Sequence, residues 1–149
     1  MLQTALELER AFIFAGIAGV MEWQLNTLIQ FARQRKVKGA HLGQQQGISH
    51  KLANMKLRLD TIKLWVEQCA HLKDRYKRIS LASAQTKLFA SEAFLQSSLD
   101  AVQIMGASGL EPHQPMLALV QDAMASRLFS GSSEIQQNII AGLLGVGDG

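Results

Sequence analysis

Phe129-Ser130-Gly131-Ser132-Ser133-Glu134-Ile135 is a short polar interruption between two segments of helical periodicity, and the fold turns on it. Behind Glu134, the residues Ile135, Ile139 and Ile140 recur at helical spacing, so a helix starts at the serines. Ser133 with Gln136 three residues on matches a capping box, in which the hydroxyl takes a helix-start N–H and the amide side chain reaches back. The plain reading is a tight turn between two helices. The sharper reading is a helix start ringed by hydroxyls that seats a phosphate or the oxygen atoms of a cofactor.

Upstream of this turn a short helix is predicted from about Met116, with Leu117, Val120, Met124 and Leu128 inward. Pro112 and Pro115 hold it apart from the Gly-containing turn Gln103 to Leu110, which closes a third helix beginning near Ser80. That third helix is rich in small residues, and Leu81, Ala84, Leu88, Leu95, Leu99 and Val102 mark its expected buried face. Helix two, after a linker through Gly43, carries Ile48, Leu52, Met55, Leu59, Ile62, Val66, Cys69 and Leu72 in near-unbroken steps of four and three. Trp65 adjoins that stripe and is expected in the core. Helix one runs to about Gln34 with Phe14, Ile17, Met21, Leu25 and Leu28 on one face. Gly16 and Gly19 inside it each cost roughly 1 kcal/mol against alanine, which points to a neighbour near the backbone. No segment shows strand periodicity, and Gly145 to Gly149 reads as a frayed tail. The fold class is therefore all-α: one domain over residues 1–149, an up-and-down four-helix bundle whose fourth leg is broken into two helices.

With 149 residues, 48% of them hydrophobic, the chain is long enough to bury a core. Its single cysteine, Cys69, rules out an internal disulfide, which favours a reducing compartment, cytoplasmic or an organelle matrix. The uncharged stretch Ala11 to Met21 reads as too short and too glycine-rich for a membrane span. The net charge of +3 is unevenly spread: residues 33–78 hold 12 basic and 3 acidic side chains, +9 locally against −6 elsewhere. Such a segment is most often a solvated helix face, although it also suits a phosphorylated cofactor or nucleic acid.

Elimination narrows the chemistry. His41, His50, His71 and His113 show neither HExxH nor paired-cysteine spacing, so no metal site is expected. Cys69 lies on a core stripe, and neither a Walker loop nor a GxSxG elbow is present. Glycine-bearing turns, the basic cluster Arg33-Gln34-Arg35-Lys36-Val37-Lys38-Gly39 and isolated carboxylates remain.

In order and spacing, these pieces resemble the C-terminal helical domain of the acyl-CoA dehydrogenase family. The landmarks are Glu9-Arg10, Arg35 with Gly39 for Arg-x-x-Phe-Gly, and Gln46 through Lys51-Leu52-Ala53-Asn54-Met55. Lys87 with Ala90-Ser91-Glu92, then Gln103-Ile104-Met105-Gly106-Ala107-Ser108-Gly109-Leu110, then Asp122-Ala123 follow, and Gly131-Ser132-Ser133-Glu134-Ile135 stands for Gly-Thr-x-Glu-Ile. The resemblance covers roughly Glu7 to Leu144 and implies one domain of a three-domain flavoenzyme. It implies FAD as cofactor, an acyl-CoA or acyl-carrier-protein thioester as substrate, an electron-transfer flavoprotein or similar acceptor, and a homo-oligomer, commonly a tetramer.

Carried over residue by residue, the resemblance puts Arg35, Lys38, Gln103, Ala107, Ser132 and Glu134 at the cofactor, Arg35 and Gln103 reaching the FAD of a neighbouring subunit. Arg10 and Ser130 fall on the substrate side. Many members place the catalytic glutamate immediately before Gly-Thr, where this chain has Ser130, and a hydroxyl does not replace a carboxylate as base. Other members carry it before the arginine of the first helix, and Glu9 occupies that position. Glu9 is accordingly the expected catalytic base for α,β-dehydrogenation, and this domain by itself is expected to be inactive. Lys38 for Phe, Ala107 for Gly, Asn54 for Asp and Gln121 for Arg depart from the family pattern. Those departures and Ser130 motivate an alternative, a non-catalytic relative serving as a structural or partner subunit. A nucleic-acid module is disfavoured by the lack of aromatic–basic interleaving.

Overall fold

The computed structural model describes the backbone of residues 2–147 and the side chains of residues 5–147. The elements run α1 (Leu2–Gln34), β1 (Lys36–Val37), β2 (Ala40–His41), a 3-10 turn (Leu42–Gln44), α2 (Gln46–Asp74), α3 (Ser80–Met105), a second 3-10 turn (Gly106–Leu110), α4 (Pro115–Ser126) and α5 (Ser133–Leu144). The broken fourth leg is present as α4 and α5. Asp148 and Gly149, the end of the expected tail, lie outside the described residues, and Gly145 caps α5 in the left-handed conformation at φ 74°.

The stripes of α1 and α2 form as their spacing dictates: Phe14, Met21, Leu25 and Leu28 meet Met55, Leu59 and Ile62 in one core with Ala90, Phe94, Ala101 and Ile104 of α3. By length and composition alone α1 is apolar enough to cross a membrane from Ala5 to Gln34. Here that stripe is instead packed against α2 and α3.

Two expected faces are corrected. On α3 most buried residues are small or polar, among them Ala82, Ser83, Ala84, Thr86, Lys87, Ala90, Ser91, Ser97 and Ser98, with Phe94 and Ile104 the large apolar ones, whereas Leu81 and Leu99 are exposed. The reason is position: α3 packs against α1, α2, α4 and α5 alike, so small side chains line the close approaches and the leucines sit at the margins. Three of its buried hydroxyls donate within their own helix, Ser83 to Ser80 O, Thr86 to Ala82 O and Ser91 to Leu88 O, while those of Ser97 and Ser98 accept from Arg58 of α2 and Gln24 of α1. On α4 the inward residues are Met116, Ala123 and Ser126, while Leu117 and Met124 face outward, as does Leu128 in the turn beyond it. Trp65 is half-buried rather than in the core, lining a groove with Phe89 and Ile140. That groove places α5 beside α2 and α3, whereas α4 faces α1 and α3 across another.

A two-residue hairpin also appears where no strand was expected. Lys36 pairs with His41 and Val37 with Ala40, and Lys38 and Gly39 turn the chain with φ 50° and 84°. Two consecutive positive φ values are what a type I′ hairpin turn requires. Gly16 and Gly19, read as marking a close neighbour, have nothing within 4 Å of a built Cβ.

Candidate functional site

The break between α4 and α5 is held open by side chains that reach its carbonyls. Lys87 Nζ donates to Arg127 O at 2.8 Å, and Arg10 Nε donates to Ser130 O at 2.9 Å. Gln136 Nε2 donates to Ser130 O at 3.2 Å and to Gly131 O at 2.9 Å. The expected capping box is therefore absent: Ser132, not Ser133, is the N-cap, and Gln136 bonds carbonyls instead of the cap N–H. Ser133 Oγ donates to Glu92 Oε1 at 2.7 Å, and Ser132 Oγ to Glu134 Oε2 at 2.7 Å. Both hydroxyls that ring this helix start are thus turned to carboxylates. Ser130 sits in the left-handed region at φ 55° and Gly131 at φ 94°, where an added Cβ would stand 2.8 Å from Gln136 Nε2. Glycine is required at 131 on both counts.

This geometry brings together residues 121 apart. Ser130 Oγ donates to Glu9 Oε1 at 2.6 Å, so the two positions between which the family resemblance divides the base are in direct contact. Arg10, the next residue of α1, grips the same serine through its carbonyl. Immediately beside them runs an apolar groove of about 330 Å³ lined by Ile13, Ile17, Val20, Phe94, Leu119 and Phe129, with Asp122 at its polar edge. Ile13 lies one helical turn beyond Glu9, and Phe129 immediately precedes Ser130.

The ground beneath the turn is charged. Lys87 is 0% exposed, and burial pushes its ammonium down to about 8, opposed by Glu92 and Glu134 and assisted by Arg127 and Arg10. Burial pushes the Glu92 carboxyl up, but the bonds from Ser133 and Arg127 outweigh it and the net shift is downward. Glu134 is held below the usual glutamate range by the Ser132 hydroxyl and by its own backbone N–H at the helix start. Lys87, Glu92 and Arg127 had no assigned role in the turn from sequence, and Gln136 was expected to cap the helix rather than to bond the turn's carbonyls. A charged lysine inside a run of small residues is the one signal that pointed there.

The other expected cofactor residues gather at the far end of α1. Arg35 and Ala107 line one cavity of about 250 Å³ with Phe31, Val37, Leu42, Met105, Gly106 and Ser108. Lys38 and Gln103 are exposed at this end and do not line it. Ala107 adopts its place without positive φ, and nothing stands within 4 Å of a Cβ built at Gly106. Arg35 is exposed and forms no ion pair among the described residues, which leaves its guanidinium fork free for a diphosphate. A donor set of this kind fits the diphosphate of a dinucleotide cofactor.

Elsewhere the polar groups are structural. Asp100 accepts from Lys51 at 2.9 Å and Arg58 at 2.8 Å, tying α2 to α3. Cys69 is buried 3.3 Å from the Thr86 hydroxyl, and burial pushes its thiol up. Among the described residues no three of His, Cys, Asp and Glu cluster as metal ligands would.

A bundle with a split fourth leg, a carboxylate at the split and an exposed guanidinium at the opposite end is a helical domain that presents polar groups at two separate ends. Residues 1–144 match the family model "Acyl-CoA dehydrogenase, C-terminal domain", and the chain belongs to that family. It is 38% identical over 139 residues to an L-prolyl-peptidyl-carrier-protein dehydrogenase of Pseudomonas fluorescens, covering 93% of this chain and 37% of that protein. It is 36% identical to the mitochondrial short-chain specific acyl-CoA dehydrogenase of Mus musculus, covering 93% of this chain and 34% of that one. Among solved structures, the prolyl acyl carrier protein oxidase AnaB superposes with a TM-score of 0.92 at 38% identity, over 94% of this chain and 37% of AnaB. The FAD complex of PigA superposes with a TM-score of 0.93 at 30% identity, over 97% of this chain and 38% of PigA. The chain thus spans about a third of the length of the curated relatives it matches.

Proposed function

We propose that this chain is the helical domain of an FAD-dependent dehydrogenase that oxidises the α,β bond of an acyl thioester, with Glu9 as the base. The observation that carries the reading is the Glu9–Ser130 contact, next in the chain to an apolar groove that Phe129 and, one turn along α1, Ile13 help to line. A carboxylate there reaches an α-proton while the acyl chain lies along Ile13 and Phe129. Arg10 supports the same turn on the substrate side. FAD, when bound, supplies the two-electron chemistry by accepting the β-hydride. Arg35 would hold its diphosphate from the hairpin end, with Lys38, Gln103 and Ala107 around it, and Ser132 and Glu134 would meet a flavin at the α4–α5 break.

The two sets are about 40 Å apart along α1 at 1.5 Å per residue. One dinucleotide does not span that interval, so the two ends of a chain serve two bound cofactors, which supports assembly into a homo-oligomer. The thioester is carried by CoA or by a carrier protein, since relatives named for both match this chain. An electron-transferring flavoprotein or similar acceptor would reoxidise the flavin. The isolated chain is expected to hold little FAD and to turn nothing over.

The test is anaerobic mixing of the full-length flavoprotein with thioester substrate while the flavin absorbance is followed. Glu9→Gln should leave FAD bound and abolish substrate-driven bleaching. Bleaching at the normal rate removes Glu9 as the base.

A further inference from the structure

We propose that Ser130 is a positioning residue for Glu9, its hydroxyl fixing the carboxylate so that one oxygen is held and the other is presented to the substrate. The proposal rests on the reading of Glu9 as the base. Three observations carry it. The hydroxyl donates to Oε1 alone, at 2.6 Å, and the other carboxylate oxygen accepts no hydrogen bond among the described residues. The serine is gripped twice by adjacent residues of α1, its side chain by Glu9 and its carbonyl by Arg10 at 2.9 Å, which fixes the angle between α1 and the turn. Gln136 and Lys87 anchor the turn from the other side through the carbonyls of Ser130, Gly131 and Arg127.

The third observation is conformational. Ser130 stands at φ 55°, where glycine sits without strain and a serine does not. A side chain retained at such a position works against the backbone's preference, and the contact it makes is with Glu9. Stability and rate should therefore respond in opposite directions when the side chain is removed.

The test compares Ser130→Ala and Ser130→Gly in the full-length flavoprotein, reading melting temperature, thioester affinity and the rate constant for flavin bleaching at saturating thioester. Ser130→Gly should melt higher than Ser130→Ala, because only glycine relieves the left-handed strain. Both should bleach about tenfold or more slowly than the native protein, with thioester affinity changed less than twofold. A bleaching rate in Ser130→Gly equal to the native rate would overturn the proposal, as would a rate that follows melting temperature across the variants. Glu9→Gln run in parallel separates the two levels. If it bleaches normally, the functional reading itself fails; if it is inert while Ser130→Ala and Ser130→Gly are fast, only the positioning role falls.

Discussion

Replacing Lys87 with methionine isolates a single buried charge. The ammonium is fully buried, and burial moves it from 10.5 to about 8. At 1.36 kcal/mol per unit this is a penalty of about 3 kcal/mol on the charged form in the folded chain. Its bond to Arg127 O at 2.8 Å returns on the order of 1.5 to 3 kcal/mol, as a charge-assisted bond does. The two nearly cancel at pH 7, so Lys87→Met should match the native chain there to within about 1 kcal/mol. The difference appears on raising the pH. Below about 8 both folded and unfolded chains carry the proton and the penalty is constant. Between about 8 and 10.5 the folded chain has released a proton that the unfolded chain still binds, so folding becomes more favourable. The stability of the native chain relative to Lys87→Met should rise by about 2 to 3 kcal/mol between pH 7 and pH 10. Urea unfolding followed by helical circular dichroism at both pH values measures it, and Glu92 and Glu134, the carboxylates that feel Lys87, are held below the usual range and stay ionised throughout. A difference that is flat or falls with pH would refute the burial argument.

Asp100→Asn should cost about 2 to 4 kcal/mol at pH 7, because it removes the charge that holds Lys51 and Arg58 against α3. Burial pushes the Asp100 carboxyl up, but the bonds from Arg58 and Lys51 outweigh it, so the contribution is present at neutral pH and lost as pH falls through the lowered folded value. The gap between native chain and variant should then close in acid, as urea midpoints would show. Arg35→Ala in the full-length protein should weaken FAD binding by at least about tenfold while leaving the apoprotein's melting temperature unchanged, since the side chain is exposed and unpaired. Flavin fluorescence titration checks the first and a thermal scan the second, and unaltered FAD affinity would detach the hairpin end from the cofactor.

The ends of α1, α2 and α3, and the break between α4 and α5, were legible because capping glycines, prolines and long apolar stripes act locally. The faces of α3 and α4 were not. A stripe records which side of a helix is apolar, not which side meets a neighbour, and Leu117, Met124 and Leu128 are apolar yet exposed in this chain. On α3, surrounded by four helices, Leu81 and Leu99 fall outside the contacts, while Leu95 and Val102 pack at the edge of the core. The hairpin escaped notice because its strands are two residues long and its turn puts lysine at a positive φ. Glu9 and Ser130 lay 121 positions apart, and only the family resemblance put them in one sentence before the fold put them in one hydrogen bond.

The self-contained hydroxyls of α3 bear on how the bundle keeps its alignment. Because Ser83, Ser91 and, apart from its contact with Cys69 of α2, Thr86 bond to their own helix, the surface that α3 shows its neighbours there makes little directional demand. A helix coated with small, locally satisfied groups slides past its neighbours with little to distinguish one turn from the next. Alignment is then set at a few fixed pegs: Asp100 with Lys51 and Arg58, Ser98 with Gln24, Glu92 with Arg127 and Ser133, and Lys87 with Arg127 O. Two of those pegs stand directly under the α4–α5 break. A slip of one turn, about 5.4 Å, would carry Ser130 out of reach of Glu9. The pegs that keep the helices in step are thus also what keeps the proposed base in place.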